Sequence, residues 1–458
     1  MWVFIHAGQT KLQCNFGHSV YDYAHIGNFR AYICSDILKR YLKYKGFKVK
    51  HVMNITDVDD KTIKGANKEV ISLSEYTSRY EKAFFEDIET LNIDKADIYP
   101  RATKHIKEIV YIIKKLLKSG VAYKSEDGSV YYDISKFKYY GKLSHTKIKH
   151  LKEGARVKQD SYEKEEAKDF ALWKAYDKED GNFFWETEVG KGRPGWHIEC
   201  SAMSMKYLGE HFDIHAGGVD LIFPHHENEI AQSEASTNKK FVNYWFHNEH
   251  LLVNGQKMSK SLGNFYTLRD LLDKNYNPNA IRYLLLSAHY RQQLNFTEES
   301  VKAAENSVQR LNDFMIKLKE ITKKNFSKVE QKEKISAKLK FFRNKFEKAM
   351  DDDLNISVAL SHIFEFVKEI NTLMMENKIG KNDAKKIINF IKDFDKVIGI
   401  LEEKEQKLSA ELKKLIKERE KARKEKNYKK ADKIREDLKR RGVILEDTKG
   451  EVRWKKII

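Results

Sequence analysis

Two separated runs of this sequence hold residue types that suit phosphate chemistry. The first is Tyr21-Asp22-Tyr23-Ala24-His25-Ile26-Gly27-Asn28-Phe29-Arg30, standing at the start of an apolar stripe of helical period. A helix N-terminus presents free backbone N–H groups and the positive end of the helix dipole, a setting that favours phosphate. His25 adds a side-chain donor there, and Gly27 lets a flat ring come close to the backbone. The second run, Lys257-Met258-Ser259-Lys260-Ser261, follows the turn Asn254-Gly255. Two lysines on a loop can neutralise charge as a phosphoryl group is displaced. A lone histidine ahead of a helix is usually a cap or a packing residue; the lysine-rich run is far more specific, and the pair favours chemistry.

A third string, Phe223-Pro224-His225-His226-Glu227-Asn228-Glu229, carries a different signal. Pro224 suits the first turn of a helix, which would put His225 and Glu229 at i, i+4 on one face. That is metal-ligand spacing, and Cys200 can complete a mixed sulfur, nitrogen and oxygen site suited to zinc. The plain alternative is a core cysteine and a surface His–Glu pair.

These residues need elements to hold them. Phe29, Ile33, Ile37 and Tyr41 recur every four residues and predict one helix, broken at Gly46. Val49–Ile55, Val130–Asp133 and Phe212–His215 read as strands. Ile106, Ile109, Val110, Ile113, Leu116 and Leu117 mark another amphipathic helix, stopped by Gly120. Strands alternating with helices predict an α/β domain with a mostly parallel sheet, and the Lys-, Glu- and Tyr-rich stretch from about Tyr99 to Gly190 reads as an insertion. Beyond about Phe296, helical patterns run almost unbroken to Leu438. Val443–Leu445, Gly450 and Val452–Trp454 then suggest a small hairpin.

Composition bounds the rest. With 458 residues, 41% of them hydrophobic, the chain has material for several cores, and global disorder is excluded. The net charge is +18, and half of it lies between Lys413 and Arg441, where 15 Lys or Arg face 6 Asp or Glu. Such a stretch is either a solvated helical face or a surface that follows a phosphate backbone. Three cysteines (Cys14, Cys34, Cys200) make no disulfide framework, so a reducing, cytoplasmic setting is expected. The stretch Met1–Leu12 does not read as a secretory signal, and no window has the length of apolar sequence that a membrane span needs.

The two phosphate-suited runs resemble the HIGH and KMSKS signatures of class I aminoacyl-tRNA synthetases. Asn54-Ile55-Thr56-Asp57-Val58-Asp59-Asp60-Lys61, Gly192-Arg193-Pro194-Gly195-Trp196-His197-Ile198-Glu199-Cys200 and Phe223–Glu229 are similar to strings of the cysteinyl-tRNA synthetase family, with similarity from about Val20 onward. The resemblance implies a Rossmann-type α/β catalytic domain over 1-255 with its insertion at about 99-190. A KMSKS loop and stem-contact segment at 256-302, an all-α helical bundle for the tRNA anticodon stem at 303-402, and a small basic α+β tRNA-binding domain at 403-458 follow. It implies a ligase that activates L-cysteine with ATP and Mg²⁺ to cysteinyl-adenylate and passes it to the 3′-terminal ribose of tRNA(Cys). One Zn²⁺ per chain, a monomer and no membrane association go with it.

The resemblance also implies residue roles. His25, Asn28, Lys257 and Lys260 would be catalytic, and Gly27, Gly217, Gly218 and Lys260 would hold the nucleotide. Trp196, His215 and Thr56 would line the side-chain pocket, and Asp220 would take the substrate ammonium; a helix cap is the ordinary reading of Asp220, and core packing that of Trp196. Cys200, His225 and Glu229 would bind zinc. A thiolate bonds zinc strongly whereas a serine hydroxyl stays protonated, so ligation could select cysteine without an editing site. In Phe212-Asp213-Ile214-His215 the strand alternation puts Asp213 and His215 on one face and Phe212 with Ile214 on the other.

One stretch departs from the family. Where the family has Cys-Gly-Pro-Thr-Val-Tyr, with a zinc-binding cysteine, this chain has Phe16-Gly17-His18-Ser19-Val20-Tyr21. Cys14 lies two residues earlier, about 6.6 Å along a strand, against a tolerance of about 0.2 Å for a zinc bond. It could serve only if the strand shifted or bulged by two residues. Residues 1–19 do not resemble the family's leader, and a misread start or frameshift is expected, with a truly divergent site as the alternative. Two rival functions are a cysteine–amino-sugar ligase of the same superfamily, which would lack the region after Phe296, and a catalytically inactive RNA-binding paralogue.

Overall fold

The computed structural model describes residues 10–145, 156–157, 169–323, 332–401, 410–441, 443–447 and 452–456. Residues 1–9, on which part of the leader expectation falls, and Gly450 lie outside the described residues. The chain folds as a Rossmann-type α/β domain followed by helices, as expected. Its central sheet has the order β10-β9-β1-β2, built from β1 (Thr10–Ser19), β2 (Lys48–Thr56), β9 (Phe212–Gly218) and β10 (Val242–Asn248), all parallel. Parallel strands are covered on both faces, and from His51 to Thr56 every residue of β2 is buried.

Helix α1 (Ile26–Tyr44) connects β1 to β2. Its four-residue stripe is the reason it packs: Phe29, Ile33, Ile37 and Tyr41 are all buried, and Gly46 (φ 86°) turns the chain into β2. Helices α2 (Asp60–Glu69) and α3 (Leu73–Thr90) follow, and then α4 (Ile106–Lys118), whose Ile109, Ile113 and Leu116 are fully covered. A mostly antiparallel sheet is inserted after α4: β3 (Ala122–Lys124), β4 (Val130–Tyr132), β5 (Arg156–Val157), β6 (Asp169–Ala175), β7 (Trp185–Thr187) and β8 (Gly190–Pro194). Helices α5 (Trp196–Leu208) and α6 (Glu227–Thr237) lie on either side of β9 in the chain and return it to the central sheet.

Strands β11 (Leu251–Val253) and β12 (Gln256–Lys257) form a hairpin across Asn254 (φ 51°) and Gly255 (φ 76°). Positive φ at both turn residues matches the twist of a two-residue hairpin, so the Asn-Gly pair sets where the lysine-rich loop begins. Helices α7 (Leu268–Asp273) and α8 (Pro278–Ser287) and strand β13 (Leu294–Phe296), which pairs with β11, follow. Helices α9 (Glu298–Lys323), α10 (Lys332–Asp351), α11 (Ile356–Met375) and α12 (Lys381–Ile398) form the bundle. One apolar core runs from Phe29 and Ile33 of α1 through Ile281 and Leu285 of α8 into Phe346, Phe366 and Phe394 of the bundle. The last unit has its own small core of Ile416, Leu438, Val443 and Leu445, formed by α13 (Ala410–Lys424), α14 (Tyr428–Arg440) and the expected hairpin of β14 (Val443–Asp447) and β15 (Val452–Lys456).

Candidate functional site

A cleft of about 270 Å³ opens at the carboxyl ends of β1, β9 and β10. Ligand sites of open α/β sheets sit at such strand ends, where the strand order reverses, and here the reversal falls between β1 and β9. His25, Gly27, Asn28, Gly217, Gly218, Asp220 and Lys257, all expected on phosphate, nucleotide or substrate, line it together with Gly17, Tyr32, Asn248, His250, Met258 and Phe265.

His25 is the N-cap of α1. Its Nδ1 accepts the Asn28 backbone N–H at 3.2 Å while the Asn28 side-chain oxygen accepts the His25 N–H at 3.1 Å. This reciprocal box satisfies two donors that a helix start otherwise leaves open. It also assigns the tautomer: with Nδ1 accepting, the neutral ring carries its proton on Nε2. Burial first, then the charges of His18 and Lys260, push the His25 pKa down to about 4, so the ring is an uncharged donor at neutral pH. At Gly27 a Cβ would lie 3.0 Å from the His25 ring and 3.3 Å from Met258 Cε. The missing side chain lets the lysine-rich loop pack on the start of α1.

Lys260 reaches the same place from the loop. Its ammonium pairs with the Asp22 carboxylate, which holds its pKa above the ordinary lysine value. It also lies 5.0 Å from the centre of the Phe265 ring, itself 5.3 Å from the His25 ring centre. At Gly217 a Cβ would come within 2.8 Å of Leu221 and 2.9 Å of the His226 ring, and at Gly218 within 2.2 Å of the exposed Asp220 carboxylate. The glycine pair therefore brings main chain against the cleft.

Beside the cleft lies a buried donor group. The ligand atoms of Cys200, His225 and Glu229 all fall within 4.8 Å of one another, with His225 Nε2 3.2 Å from Glu229 Oε1. Glu229 also belongs to a second group with His215 and His226, its carboxylate 3.0 Å from His215 Nε2. Burial raises the Glu229 pKa, but the His215 and His225 rings outweigh it and the net value is about 2. Burial, then the Glu229 carboxylate, push the Cys200 thiol well up. The mixed donor set fits zinc, and a metal there would have to displace the Cys200 proton. Trp196 stands edge-on to His225, ring centres 4.4 Å apart, and Thr56 is buried at the end of β2, where its hydroxyl accepts from the Asn54 amide at 3.2 Å.

Two expectations need correction, and the condition set for Cys14 is not met. Pro224 is not in the first turn of α6: it sits in a π-type turn over Ile222–His226, after an extended Phe223, and the i, i+4 pairing of His225 with Glu229 forms across that turn into the helix. Phe212 does not side with Ile214; its ring packs 5.0 Å from Phe241 and in one cluster with Cys14 and Val52, because a central parallel strand buries both of its faces. Cys14 joins neither donor group among the described residues. Strand β1 does bulge, but by one residue between Asn15 and His18, and Cys14 stays in register opposite His215 and Val52.

Sequence reasoning missed Asp22, the ion partner of Lys260, and Phe265, the ring between Lys260 and His25. It also missed the histidines around the donor group: His197 Nδ1 is 3.0 Å from His225 Nδ1, and His226 Nδ1 is 2.8 Å from His247 Nε2. His197 and His226 stood inside recognised strings, so proximity in sequence was a signal for those two; nothing marked His247.

A nucleotide-sized cleft at the strand ends of a parallel sheet, lined by His25 and Lys257 and with Lys260 beside its Phe265 wall, defines a catalytic domain of the class I aminoacyl-tRNA synthetases. The family described as tRNA synthetases class I (C) catalytic domain matches residues 3–306, the DALR domain residues 345–402, and the cysteinyl-tRNA ligase anticodon binding domain residues 405–454. The chain is 53% identical over 448 residues to a cysteine–tRNA ligase of Brachyspira hyodysenteriae, covering 96% of this chain and 94% of that one. It is 50% identical to one of Protochlamydia amoebophila, covering 96% and 92%. The chain belongs to the cysteine–tRNA ligase family. The catalytic match begins at residue 3, so the resemblance reaches well upstream of Val20, contrary to expectation. In fold it is similar to methionyl-tRNA synthetase of Mycobacterium tuberculosis, with a TM-score of 0.62 at 15% identity, covering 86% of this chain and 90% of that one.

Proposed function

We propose that this protein joins L-cysteine to the 3′-terminal ribose of tRNA(Cys) in two steps, with cysteinyl-adenylate between them. The observation that carries the reading is the adjacency of a Cys200–His225–Glu229 donor group to a cleft that gathers His25, Gly217 and Lys257.

Zinc held by Cys200, His225 and Glu229 would supply a soft Lewis acid that ligates the thiolate of cysteine and not the hydroxyl of serine. The chain does the rest. Trp196, His215 and Thr56 enclose the side chain, and the exposed Asp220 carboxylate on the cleft wall takes the ammonium. Gly27, Gly217 and Gly218 let adenosine lie against main chain. As the cysteine carboxylate attacks the α-phosphorus of Mg²⁺-bound ATP, charge grows on the phosphoryl oxygens and pyrophosphate leaves. His25 donates its Nε2–H to those oxygens, and the Asn28 box fixes the ring that does so. Lys257 and Lys260 bring positive charge from the loop, Lys260 by exchanging its Asp22 partner for phosphate. No covalent enzyme intermediate is needed: positioning and electrostatics suffice. Three free, buried cysteines suit a reducing, cytoplasmic setting.

Cysteine-dependent ATP–pyrophosphate exchange tests the reading. Exchange is expected, together with about one zinc per chain that Cys200→Ser lowers sharply; no exchange by the purified wild-type chain would sink it. Charging of tRNA(Cys) separates this reading from the amino-sugar ligase, against which the DALR and anticodon-binding matches already speak.

A further inference from the structure

Three buried arginines bolt α1 to the elements behind it. From α1, Arg30 donates to the carbonyls of Leu285, Ala288 (3.1 Å) and His289 (3.0 Å) at the end of α8. From α8, Arg282 reaches back: it donates to the Asp36 carboxylate on α1 at 2.6 Å, to the Leu91 and Asn92 carbonyls at 3.0 and 2.9 Å, and to the Ile398 carbonyl of α12 at 2.7 Å. Arg40, one turn beyond Asp36, donates to the same carboxylate at 2.8 Å, to the Asn92 carbonyl at 2.6 Å and to the Lys396 carbonyl of α12 at 3.3 Å. The second Asp36 oxygen accepts the Asp94 N–H at 3.0 Å. Asp36 and Arg282 have no exposed side-chain surface.

The end of α12 is shaped to this cluster. Gly399 closes the helix at φ 69°, its carbonyl accepts from the Asn92 amide at 2.9 Å, and a Cβ there would lie 3.0–3.1 Å from Asn92, Arg282 and Arg40. Elsewhere the bundle meets α1 through apolar surface, which is adhesive but non-directional, and through the Tyr41 and Tyr44 hydroxyls at the far end of α1, which donate to Asp351 at 2.7 Å and Glu347 at 2.9 Å on α10. A fully buried ion cluster adds little net stability, yet it tolerates one geometry only, because any slip leaves a charge unpaired. It therefore fixes how α1 sits against the end of α12, where the tyrosine contacts to α10 do not reach. Asp36 lies eleven residues from His25 on one straight helix, about 16 Å, so a turn of the cluster moves the helix end that faces the phosphate.

We propose that Asp36, Arg40 and Arg282 are positioning residues that lock α1, the helix that carries His25, to the end of α12, so that tRNA held by the anticodon-binding unit that follows α12 is felt at the phosphate site. The proposal rests on the functional reading above for what α1 holds.

Two single variants test it, Arg282→Lys, which keeps the charge but loses the fork of donors, and Gly399→Ala, which lies at the end of the bundle and far from the cleft in sequence. Hydrogen exchange at the amides of Ile26–Arg30 is followed with and without a tRNA(Cys) transcript, and kcat for pyrophosphate exchange is counted per site that forms adenylate. In the wild type tRNA is expected to add protection at Ile26–Arg30. In both variants that protection is lost and kcat falls about tenfold, with the KM for cysteine little changed. Absence of tRNA-dependent protection in the wild type overturns the proposal, as does unchanged protection and kcat in the variants beside a lower melting temperature, which marks a merely structural cluster. If Arg282→Lys does not fold, Gly399→Ala decides alone. A wild type without exchange activity defeats the functional reading, whereas the protection data still judge the cluster.

Discussion

At the residue scale the same atoms serve folding and chemistry, and His25 is the clearest case. Its Nδ1 caps α1 and its Nε2–H is left for the phosphate. The two duties can be separated, because asparagine is among the best N-caps yet has no ring to reach the phosphate. His25→Asn is expected to keep the melting temperature within a few degrees while kcat for exchange falls by about 10²-fold, the usual cost of one preorganised donor. Wild-type exchange in this variant would reduce His25 to a cap. With its pKa pushed down to about 4 by burial, His25 contributes no inflection to the rate between pH 5 and 8. The composition of this site was readable because its residues lie in short contiguous strings. The roles of Asp22, although it stood in the first string, and of Phe265 were not, since they come from contacts between that string and a loop more than two hundred residues away.

At the element scale, period and punctuation told most. The four-residue stripe of α1, the β-branched run of β2 and the Asn254-Gly255 turn are local patterns whose local outcome survived packing. What failed was decided by neighbours: Phe212 turned to Phe241, the chain turned at Pro224 before α6 began, and β1 took its one extra residue opposite β2. The same strands hold an acid-sensitive element. His51 of β2 lies opposite Gln13 of β1, is buried, and has no hydrogen-bond partner at either ring nitrogen among the described residues. Burial, then Lys39 and Lys43, lower its pKa to about 3, with Asp94 opposing. The folded value lies below the unfolded value of about 6.5, so on acidification the unfolded chain takes up the proton first. Stability is complete above pH 6.5 and is lost as pH falls toward 3, by about 1.4 kcal/mol per pH unit from this one group. His51→Leu should therefore flatten the dependence of the urea midpoint on pH between 4.5 and 6.5. An unaltered slope would mean that the fold accommodates the charged ring.

At the scale of the whole molecule, the order of textures along the sequence was readable, whereas the continuity of one apolar core from α1 into the bundle was not, because it joins residues hundreds of positions apart. The charge distribution was readable and gains meaning from burial: of the 15 basic residues between Lys413 and Arg441, all but Arg419 are exposed. The core beneath them, Ile416, Leu438, Val443 and Leu445, is separate from the main one. A unit with its own core can be removed without opening the other, and a dense cationic surface is what a phosphate backbone requires. Each phosphate contact contributes a step to the salt dependence of binding. Truncation after Leu401 is thus expected to leave cysteine-dependent exchange nearly intact while it raises the KM for tRNA in charging and flattens the dependence of tRNA affinity on salt. Exchange and charging are measured on the same preparation, with tRNA binding titrated at several salt concentrations. Equal loss of both activities would show that the last unit supports the catalytic domain instead of the tRNA, and an unchanged salt slope would place the phosphate contacts elsewhere on the chain.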